Sequence, residues 1–354
     1  MNQQAIPIID LDGRRSDTPP ADVVAEVARA AAGSGFFQVV GHGVDQRSVD
    51  AVWEATRRFF EQPLAEKRRL TRTRERTRGY YDRELTKNQR DLKEVFDVAH
   101  QAPSADSSTP EGPYRDRPYR DGPNHWPDLP GFRRTIVEHM DRCHELASWL
   151  LAAFGLGLGA DTALIQSGFT PDHTSFLRLN HYPTADLLSS EEAASVTELG
   201  DMALHHHTDS GALTLLLQDE VGGLQAFAEG GWIDVEPTPG AFVVNTGDMA
   251  QVWSNDRYRG ALHRVLPSRG RQRYSLPYFF NPSYDTDYAP LDAAIEPGNA
   301  AHYRSINWGD FRRGRADGDF ADYGAEVQIS DYVISKAPTT AAHDSPSSQD
   351  GEAK

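Results

Sequence analysis

Four short runs of aliphatic and aromatic residues decide the fold of this 354-residue chain. They are GALTLLLQD (211–219), AFVVNTGD (241–248), ALHRVLP (261–267) and RYSLPYFFNP (273–282). Gly, Asn, Asp and Pro interrupt the runs, a pattern typical of β-strands joined by turns. Several such strands in series predict a sandwich or barrel of the jelly-roll type, with a mouth that can hold a small ligand. Helical periodicity on either side makes the predicted class mainly β with flanking helices.

Two histidines and one carboxylate accompany these strands. His207 and Asp209 are two residues apart, so in an extended segment both side chains project from the same face, and His263 lies in the third run. Two imidazoles and one carboxylate leave up to three positions open on a six-coordinate metal, which suits ferrous iron that activates dioxygen. The pattern therefore predicts an iron site at these three residues.

Arg273 and Ser275 share one face of the last run. Two polar side chains on one face of an otherwise apolar strand are costly to bury without partners. A guanidinium and a hydroxyl can together bind a carboxylate, which removes that cost. We call this Arg273/Ser275 pair the clamp. The metal site and the clamp together predict an oxygenase whose co-substrate is an organic acid.

Several further segments carry a family resemblance. They include IPIIDL (6–11), GFFQVVGHGV (35–44), GPNHWPDLPGF (122–132), HTDSGALTLLLQD (207–219) and YRGALHRV (258–265). In this order, from about residue 5 to 330, the chain closely resembles the isopenicillin N synthase-like family of non-haem iron oxygenases, which includes many 2-oxoglutarate-dependent dioxygenases. The resemblance implies a double-stranded β-helix core (126–336, with a C-terminal helix) behind an N-terminal α/β buttress region (5–125). Residues 101–130 are rich in Pro, Gly, Ser and Asp and are predicted to be a long loop, and a helix is predicted around 301–316. The remaining 337–354 lack large apolar residues and are expected to be disordered.

The resemblance also implies the cofactors: Fe(II), 2-oxoglutarate as co-substrate, and O2. Arg273 and Ser275 would bind the distal carboxylate of 2-oxoglutarate, and Asn180 and Tyr182 would contact the co-substrate, with a core aromatic role as the alternative for Tyr182. 2-Oxoglutarate would be decarboxylated to succinate and CO2 while a small-molecule substrate is hydroxylated, desaturated or cyclised.

Candidate substrate residues come from the family resemblance and from strand parity. Arg78, Tyr80 and Tyr81 lie in a segment that lines the substrate mouth in some relatives, although simple packing is an equal alternative. The basic stretch from Arg68 to Arg78 is otherwise interpreted as a solvated segment.

Strand parity supplies three more candidates. Arg178 shares a face with Asn180, Phe279 shares the parity of Arg273, and His205 shares that of His207. Core packing is the default for Phe279, and a polar strand-end role is favoured for His205. Asn245, Gly247 and Asp248 are interpreted as a turn before a strand MAQVW (249–253), with no chemical role.

Composition limits the classes of binding partner that we expect. A formal net charge of −16 and an isoelectric point near 5.2 argue against nucleic-acid binding. The single cysteine, Cys143, is predicted to be a helix residue; it cannot form an internal disulfide, which favours a reducing cytoplasm. No membrane span or secretory signal is evident, so we expect no membrane partner. We further expect a small-molecule substrate and a monomer or weak homo-oligomer.

Three other functions stay open on the sequence. A 2-oxoglutarate-independent oxidase like isopenicillin N synthase would use the Arg/Ser pair on a substrate carboxylate. A zinc hydrolase could use the same two histidines and aspartate but would leave Arg273 and Ser275 without a role. A non-catalytic binding protein on the same barrel is the third, because fold does not fix function.

Overall fold

The computed structural model describes residues 5–73, 77–100, 123–169, 172–268, 270–321 and 327–334. The predicted tail at 337–354 and residues 101–122 of the long loop predicted at 101–130 lie outside the described residues.

Sixteen strands and eight α-helices form the described part of the chain. The strands are β1 (Ile8–Asp10), β2 (Phe36–Val40), β3 (Gly79–Tyr81), β4 (Leu85–Thr86), β5 (Gln89–Arg90), β6 (Glu94–Ala99), β7 (Phe176–Tyr182), β8 (Leu204–His207), β9 (Leu213–Gln218), β10 (Leu224–Ala228), β11 (Gly231–Asp234), β12 (Phe242–Thr246), β13 (His263–Val265), β14 (Arg273–Phe280), β15 (Asp287–Tyr288) and β16 (Ile306–Asn307). The helices are α1 (Ala21–Ala32), α2 (Gln46–Phe60), α3 (Leu64–Arg68), α4 (Phe132–Leu158), α5 (Thr162–Gln166), α6 (Ser190–Ala193), α7 (Asp248–Trp253) and α8 (Trp308–Ala321).

An eight-stranded major sheet has the order β1-β2-β12-β9-β14-β7-β6-β3 and is antiparallel except for the β1–β2 pair. A four-stranded minor sheet has the order β11-β10-β13-β8. A smaller core cluster fills the space between the sheets with side chains such as Phe36, Leu216, Leu224 and Val265. The two facing sheets form the jelly-roll core, which confirms the predicted fold class.

The period of two along each strand separates the two faces of the major sheet. On β14, Arg273 and Ser275 point toward the minor sheet, whereas Leu276, Tyr278 and Phe280 belong to the main core on the other face. Helices α1, α2 and α4 cover that second face, with α4 packed directly on β9 and β14. Cys143 is buried in α4, which confirms it as a helix residue.

The N-terminal region is continuous with the core. Strand β2 pairs with β12, with Val244 opposite Phe37, and β6 pairs with β7, with Val95 opposite Asn180. Residues before 126 therefore extend both sides of the major sheet.

Three sequence interpretations of local structure were wrong. MAQVW is helical, because Met249, Ala250, Val252 and Trp253 have the spacing of one buried helix face. Helix α8 begins at Trp308 rather than near residue 301, after the short strand β16. The basic stretch is not simply solvated, since Arg72 and Arg78 are buried.

Among the described helices, none has the length and apolar content needed to cross a bilayer.

Candidate active site

A cavity of about 280 Å³ opens between the two sheets. Strands β7, β9, β12 and β14 of the major sheet and β8, β10 and β13 of the minor sheet contribute its wall. His207, Asp209 and His263 line it, and so do Arg273 and Ser275. The predicted metal ligands and the predicted clamp therefore share one cavity.

The three predicted metal ligands converge. His207 lies opposite His263 in the β8–β13 pairing, and their ring centroids are 4.2 Å apart. One carboxylate oxygen of Asp209, Oδ1, is 3.7 Å from His207 Nε2 and 3.8 Å from His263 Nε2. All three ligand atoms lie within 4.8 Å of one another.

Backbone contacts orient both imidazoles. His207 Nδ1 is 2.9 Å from the carbonyl of His205, and His263 Nδ1 is 2.9 Å from the carbonyl of Ala261. In the tautomer that donates Nδ1–H to these carbonyls, each Nε2 keeps its lone pair for the space in front of Asp209.

Two donors also fix the aspartate. Asp209 Oδ2 accepts hydrogen bonds from Thr214 Oγ1 at 2.5 Å and Asn245 Nδ2 at 2.8 Å, which leaves Oδ1 facing the histidines. The interpretation of Asn245 as a turn residue was wrong, because it lies in β12. A polar residue inside the apolar run FVVNT was the signal that sequence reasoning missed.

The electrostatics of the site suit metal ligands. Burial, reinforced by neighbouring His263, lowers the pKa of His207 to about 3, so this imidazole is neutral near physiological pH. Burial alone would raise the pKa of Asp209, but the two imidazoles and the hydrogen bonds from Asn245 and Thr214 lower it below its ordinary value. A neutral imidazole and an ionised carboxylate are the protonation states in which these groups bind metal ions.

The predicted clamp is buried across the β7–β14 pair. Arg273 is opposite Tyr182, with its guanidinium carbon 4.8 Å from the ring centroid, and Ser275 is opposite Asn180. Asn180 donates to Ser275 Oγ at 3.2 Å, and Arg273 Nη2 donates to Gln218 at 3.3 Å. Within the described part of the chain, Arg273 Nε and Nη1 are buried and have no hydrogen-bond acceptor.

Three of the six substrate candidates line the cavity. They are Arg78, Arg178 and Phe279. Phe279 stacks on Phe176 with ring centroids 4.6 Å apart, and the Arg78 guanidinium lies 4.1 Å from the centroid of Phe176. Phe176 was missed, although it has the same strand parity as Arg178.

A buried ion-pair network forms another part of the wall. Arg178 donates to both oxygens of Asp97, at 2.7 and 2.9 Å, and to Glu84 at 2.9 Å. Arg72 contacts the same two carboxylates, and Lys93 contacts Glu84 at 2.7 Å. Although burial opposes it, these three cations hold the pKa of Glu84 well below its ordinary value. Arg178 is therefore fixed by structural partners.

The other three candidates do not line the cavity. Tyr80 is fully buried in the main core, where its hydroxyl donates to Glu94 at 2.5 Å. Tyr81 packs against Arg72, 4.5 Å from the guanidinium carbon to the ring centroid. His205 turns away because its Nδ1 is 2.6 Å from the buried carboxylate of Asp91.

The residues present fit an iron ion and a dicarboxylate co-substrate. Two imidazole nitrogens and one carboxylate oxygen face the same space, a donor set that suits Fe(II). The buried guanidinium, whose Nε and Nη1 have no acceptor, fits a carboxylate, which would complete its hydrogen bonds.

Comparisons with known proteins agree with this geometry. Residues 173–282 match the 2OG-Fe(II) oxygenase superfamily, and residues 6–129 match the non-haem dioxygenase in morphine synthesis N-terminal family. A 2-oxoglutarate-Fe(II) type oxidoreductase, hxnY, of Emericella nidulans is 33% identical over 83% of this chain and 84% of its own length. The homoarginine-6-hydroxylase 2-ODD-C23 of Glycine max is 32% identical over 90% of this chain and 98% of its own.

Solved structures give the same result. JOX2 in complex with 2OG, Fe and JA has a TM-score of 0.72 at 27% identity, covering 94% of this chain and 90% of its own. The dioxygenase for auxin oxidation in rice has a TM-score of 0.69 at 27% identity, covering 93% of this chain and 100% of its own. This chain therefore belongs to the 2OG-Fe(II) oxygenase superfamily, and it is an oxidoreductase that uses Fe(II), 2-oxoglutarate and O2.

Proposed function

We propose that His207, Asp209 and His263 hold the iron and that Arg273 and Ser275 bind the distal carboxylate of 2-oxoglutarate. One observation carries this assignment: the only cluster of two imidazoles and a carboxylate found among the described residues shares a cavity with a buried guanidinium whose Nε and Nη1 have no acceptor. Asn180 would orient the Ser275 hydroxyl, and Tyr182 would cover the guanidinium face.

Iron bound at this position would supply the activation of dioxygen that couples 2-oxoglutarate decarboxylation to substrate oxidation. The chain's own residues position the three proposed iron ligands. The carbonyls of His205 and Ala261 fix the two imidazoles, and Thr214 and Asn245 fix the carboxylate of Asp209. Because both sheets shield the cavity, a carboxylate paired with Arg273 would be held more firmly than in water.

We infer that the substrate is a small molecule with an anionic group next to a flat or apolar part. Arg78 lies over Phe176, which stacks on Phe279, so one wall offers both a cation and aromatic surface. Relatives named for homoarginine and for gibberellin also act on small molecules. Hydroxylation is the simplest outcome, with desaturation and cyclisation as the alternatives.

The cysteine content and the net charge bear on where the protein acts and on which partners it binds. The lone buried cysteine favours a reducing cytoplasm, and the net charge of −16 disfavours nucleic-acid partners. We propose a cytoplasmic monomer or weak homo-oligomer in specialised metabolism, with a non-haem dioxygenase region at 5–125 and the oxygenase core at 126–336.

Spectroscopy under anaerobic conditions tests the iron ligands. Fe(II) and 2-oxoglutarate added to the metal-free chain should produce the weak visible charge-transfer band of a chelated iron complex. His207→Ala and His263→Ala should abolish it, whereas His206→Ala, which removes the exposed histidine directly before His207, should not. A band retained in both ligand variants would contradict the assignment.

Titration of the co-substrate tests the clamp. Arg273→Leu should weaken 2-oxoglutarate binding by at least about 30-fold, because loss of one partner of a buried charge pair costs about 2–5 kcal/mol. Iron affinity should change little. Arg271→Leu is the matched control, since this arginine is exposed and paired with Glu220. Unchanged 2-oxoglutarate dependence in Arg273→Leu would mean that Arg273 binds another group, such as a carboxylate of the substrate.

A further inference from the structure

A second group of histidines lies on the far side of the major sheet. His100 directly follows β6, His144 is in the middle of α4, and His173 precedes β7. Tyr278 of β14 contacts this group, whereas its neighbours Pro277 and Phe279 line the active-site cavity. The sheet therefore separates the second histidine group from the first.

The three imidazoles are close enough to share one ion. Each offers a nitrogen within 4.8 Å of those of the other two. The rings of His144 and His173 stack with centroids 4.5 Å apart, and the centroid of His100 is 5.0 Å from that of His173 and 5.4 Å from that of His144. Three histidines with one open position form a known class of zinc site.

Asp141 orients one of the rings. Its carboxylate is 2.9 Å from His100 Nε2, and it precedes His144 by one turn of α4. On the other edge of the ring, His100 Nδ1 is 2.8 Å from the Tyr278 hydroxyl, which is also 3.4 Å from His144 Nδ1. A carboxylate behind one imidazole nitrogen, with the other nitrogen turned to the cluster, is the arrangement that commonly supports metal-bound histidines.

The chemical state of the cluster suits coordination. Burial lowers the pKa of His144 to about 4 and that of His173 to about 3, and it also lowers the pKa of His100. The rings are therefore neutral near physiological pH. The cluster also reaches the surface, because the Asp141 side chain is 57% exposed and that of His100 is 13% exposed. An ion can thus enter from solvent.

We propose that His100, His144 and His173 form a second metal site, for a divalent transition ion such as Zn²⁺, with Asp141 as the residue that orients His100. The ion would join α4 to the end of β6 and to the segment before β7. Zn–N bonds of about 2.0–2.1 Å require the nitrogens to draw together. Binding would also compete with the 3.3 Å hydrogen bond from the Ser175 amide to His173 Nδ1.

Metal stoichiometry tests the proposal. Untagged, metal-free protein is titrated with Zn²⁺ and, in parallel, with Co²⁺, whose visible spectrum reports coordination number. The wild-type chain should bind two equivalents. His263→Ala should retain one equivalent with a four-coordinate Co²⁺ spectrum, and His144→Gln and His173→Gln should each retain only the cavity equivalent. His302→Gln is the control, since this half-exposed histidine belongs to neither cluster.

Thermal unfolding separates a lost site from a misfolded variant. Zn²⁺ should raise the melting temperature of His263→Ala, and this shift should be absent when His173→Gln is added to that background. Metal-free melting of the two proteins should be similar. One equivalent in the wild-type chain, or two equivalents retained in both His144→Gln and His173→Gln, would overturn the second site while leaving the iron assignment intact.

Discussion

The two oxygens of the Asp209 carboxylate have different surroundings. Oδ2 accepts from Thr214 and Asn245, while Oδ1 faces His207 and His263. The donors on Oδ2 fix the plane of the carboxylate and thereby the direction of Oδ1. Asn245 is thus a positioning residue for the proposed iron ligand.

Asn245→Ala should lower iron affinity about 10- to 100-fold, the usual effect of losing a hydrogen bond behind a metal ligand. The measurement is an anaerobic Fe(II) titration, with unfolding followed in parallel. Asn299→Ala, which changes an exposed asparagine, should behave like the wild-type chain. Equal iron affinity in both variants would contradict the positioning role.

Two charged candidates for substrate recognition line the cavity, Arg78 and Arg178. Asp97 and Glu84 hold Arg178, so Arg78 is the one to test. Arg78→Ala should lower kcat/KM for the true substrate about 10- to 100-fold, since a hydrogen bond to a charged group contributes about 1.5–3 kcal/mol. Decarboxylation of 2-oxoglutarate without substrate should persist, because it requires only the iron site and clamp.

Nearby Arg83 pairs with Asp82 and Glu192 and does not line the cavity, so Arg83→Ala is the matched control. Parallel loss of both rates in Arg78→Ala would indicate a packing role. Tyr80 is unsuited to this test, because its buried hydroxyl bonds to Glu94.

At the scale of elements, the junction of β12 and α7 sets the position of Asp209. The Asp248 amide donates to the Asp209 carbonyl at 2.7 Å, and the Gly247 amide donates to the Ala212 carbonyl at 3.1 Å. A Cβ on Gly247 would overlap the carbonyl oxygen of Gly211 and would lie 2.8 Å from that of Asp209. Only glycine allows this approach, although its φ of −97° is ordinary.

Gly247→Ala should destabilise the fold by about 1–3 kcal/mol, the usual cost of overpacking, and should weaken iron binding by displacing the Asp209 backbone. Urea unfolding and Fe(II) titration measure the two effects. Gly231→Ala is the control, because a Cβ there has open space within 4 Å among the described residues. Full iron affinity in Gly247→Ala would show that the junction tolerates a shift without moving the ligand.

At the scale of the whole molecule, N-terminal strands and core strands share one sheet. Differential scanning calorimetry of the metal-free chain should therefore give one transition whose calorimetric and van't Hoff enthalpies agree. An earlier, separate transition that disappears when the region 5–125 is destabilised, for example by Val39→Ala in β2, would contradict this cooperativity.

Acid should weaken the fold through buried neutral histidines. Burial lowers the pKa of His139 from 6.5 to about 4, and its ring packs against Phe242. Because the unfolded chain binds this proton more tightly, the associated stability is fully present above about pH 6.5. It is lost as the pH falls toward 4.

His139→Gln should accordingly reduce the loss of unfolding free energy between about pH 7.5 and pH 5 by about 2 kcal/mol. Urea unfolding at the two pH values measures it. An unchanged dependence in His139→Gln would remove this histidine as a cause.

Local periodicity was sufficient for much of the architecture. Alternation along β14 placed Arg273, Ser275 and Phe279 on one face, because a strand repeats every two residues wherever it lies. The prediction that His207 and Asp209 meet was also correct, although β8 ends at His207 and Asp209 follows it. The strand runs predicted the jelly-roll class, and the resemblance of ordered motifs predicted the oxygenase family.

Only tertiary structure decided which side chains meet across strands and sheets. Tyr80 and His205 are held away from the cavity by Glu94 and Asp91, and Asn245 meets Asp209 across 36 residues of chain. The group of His100, His144 and His173 joins two strands and a helix through packing against Tyr278. Such contacts depend on strand pairing and helix docking between segments far apart in sequence, which no local pattern specifies.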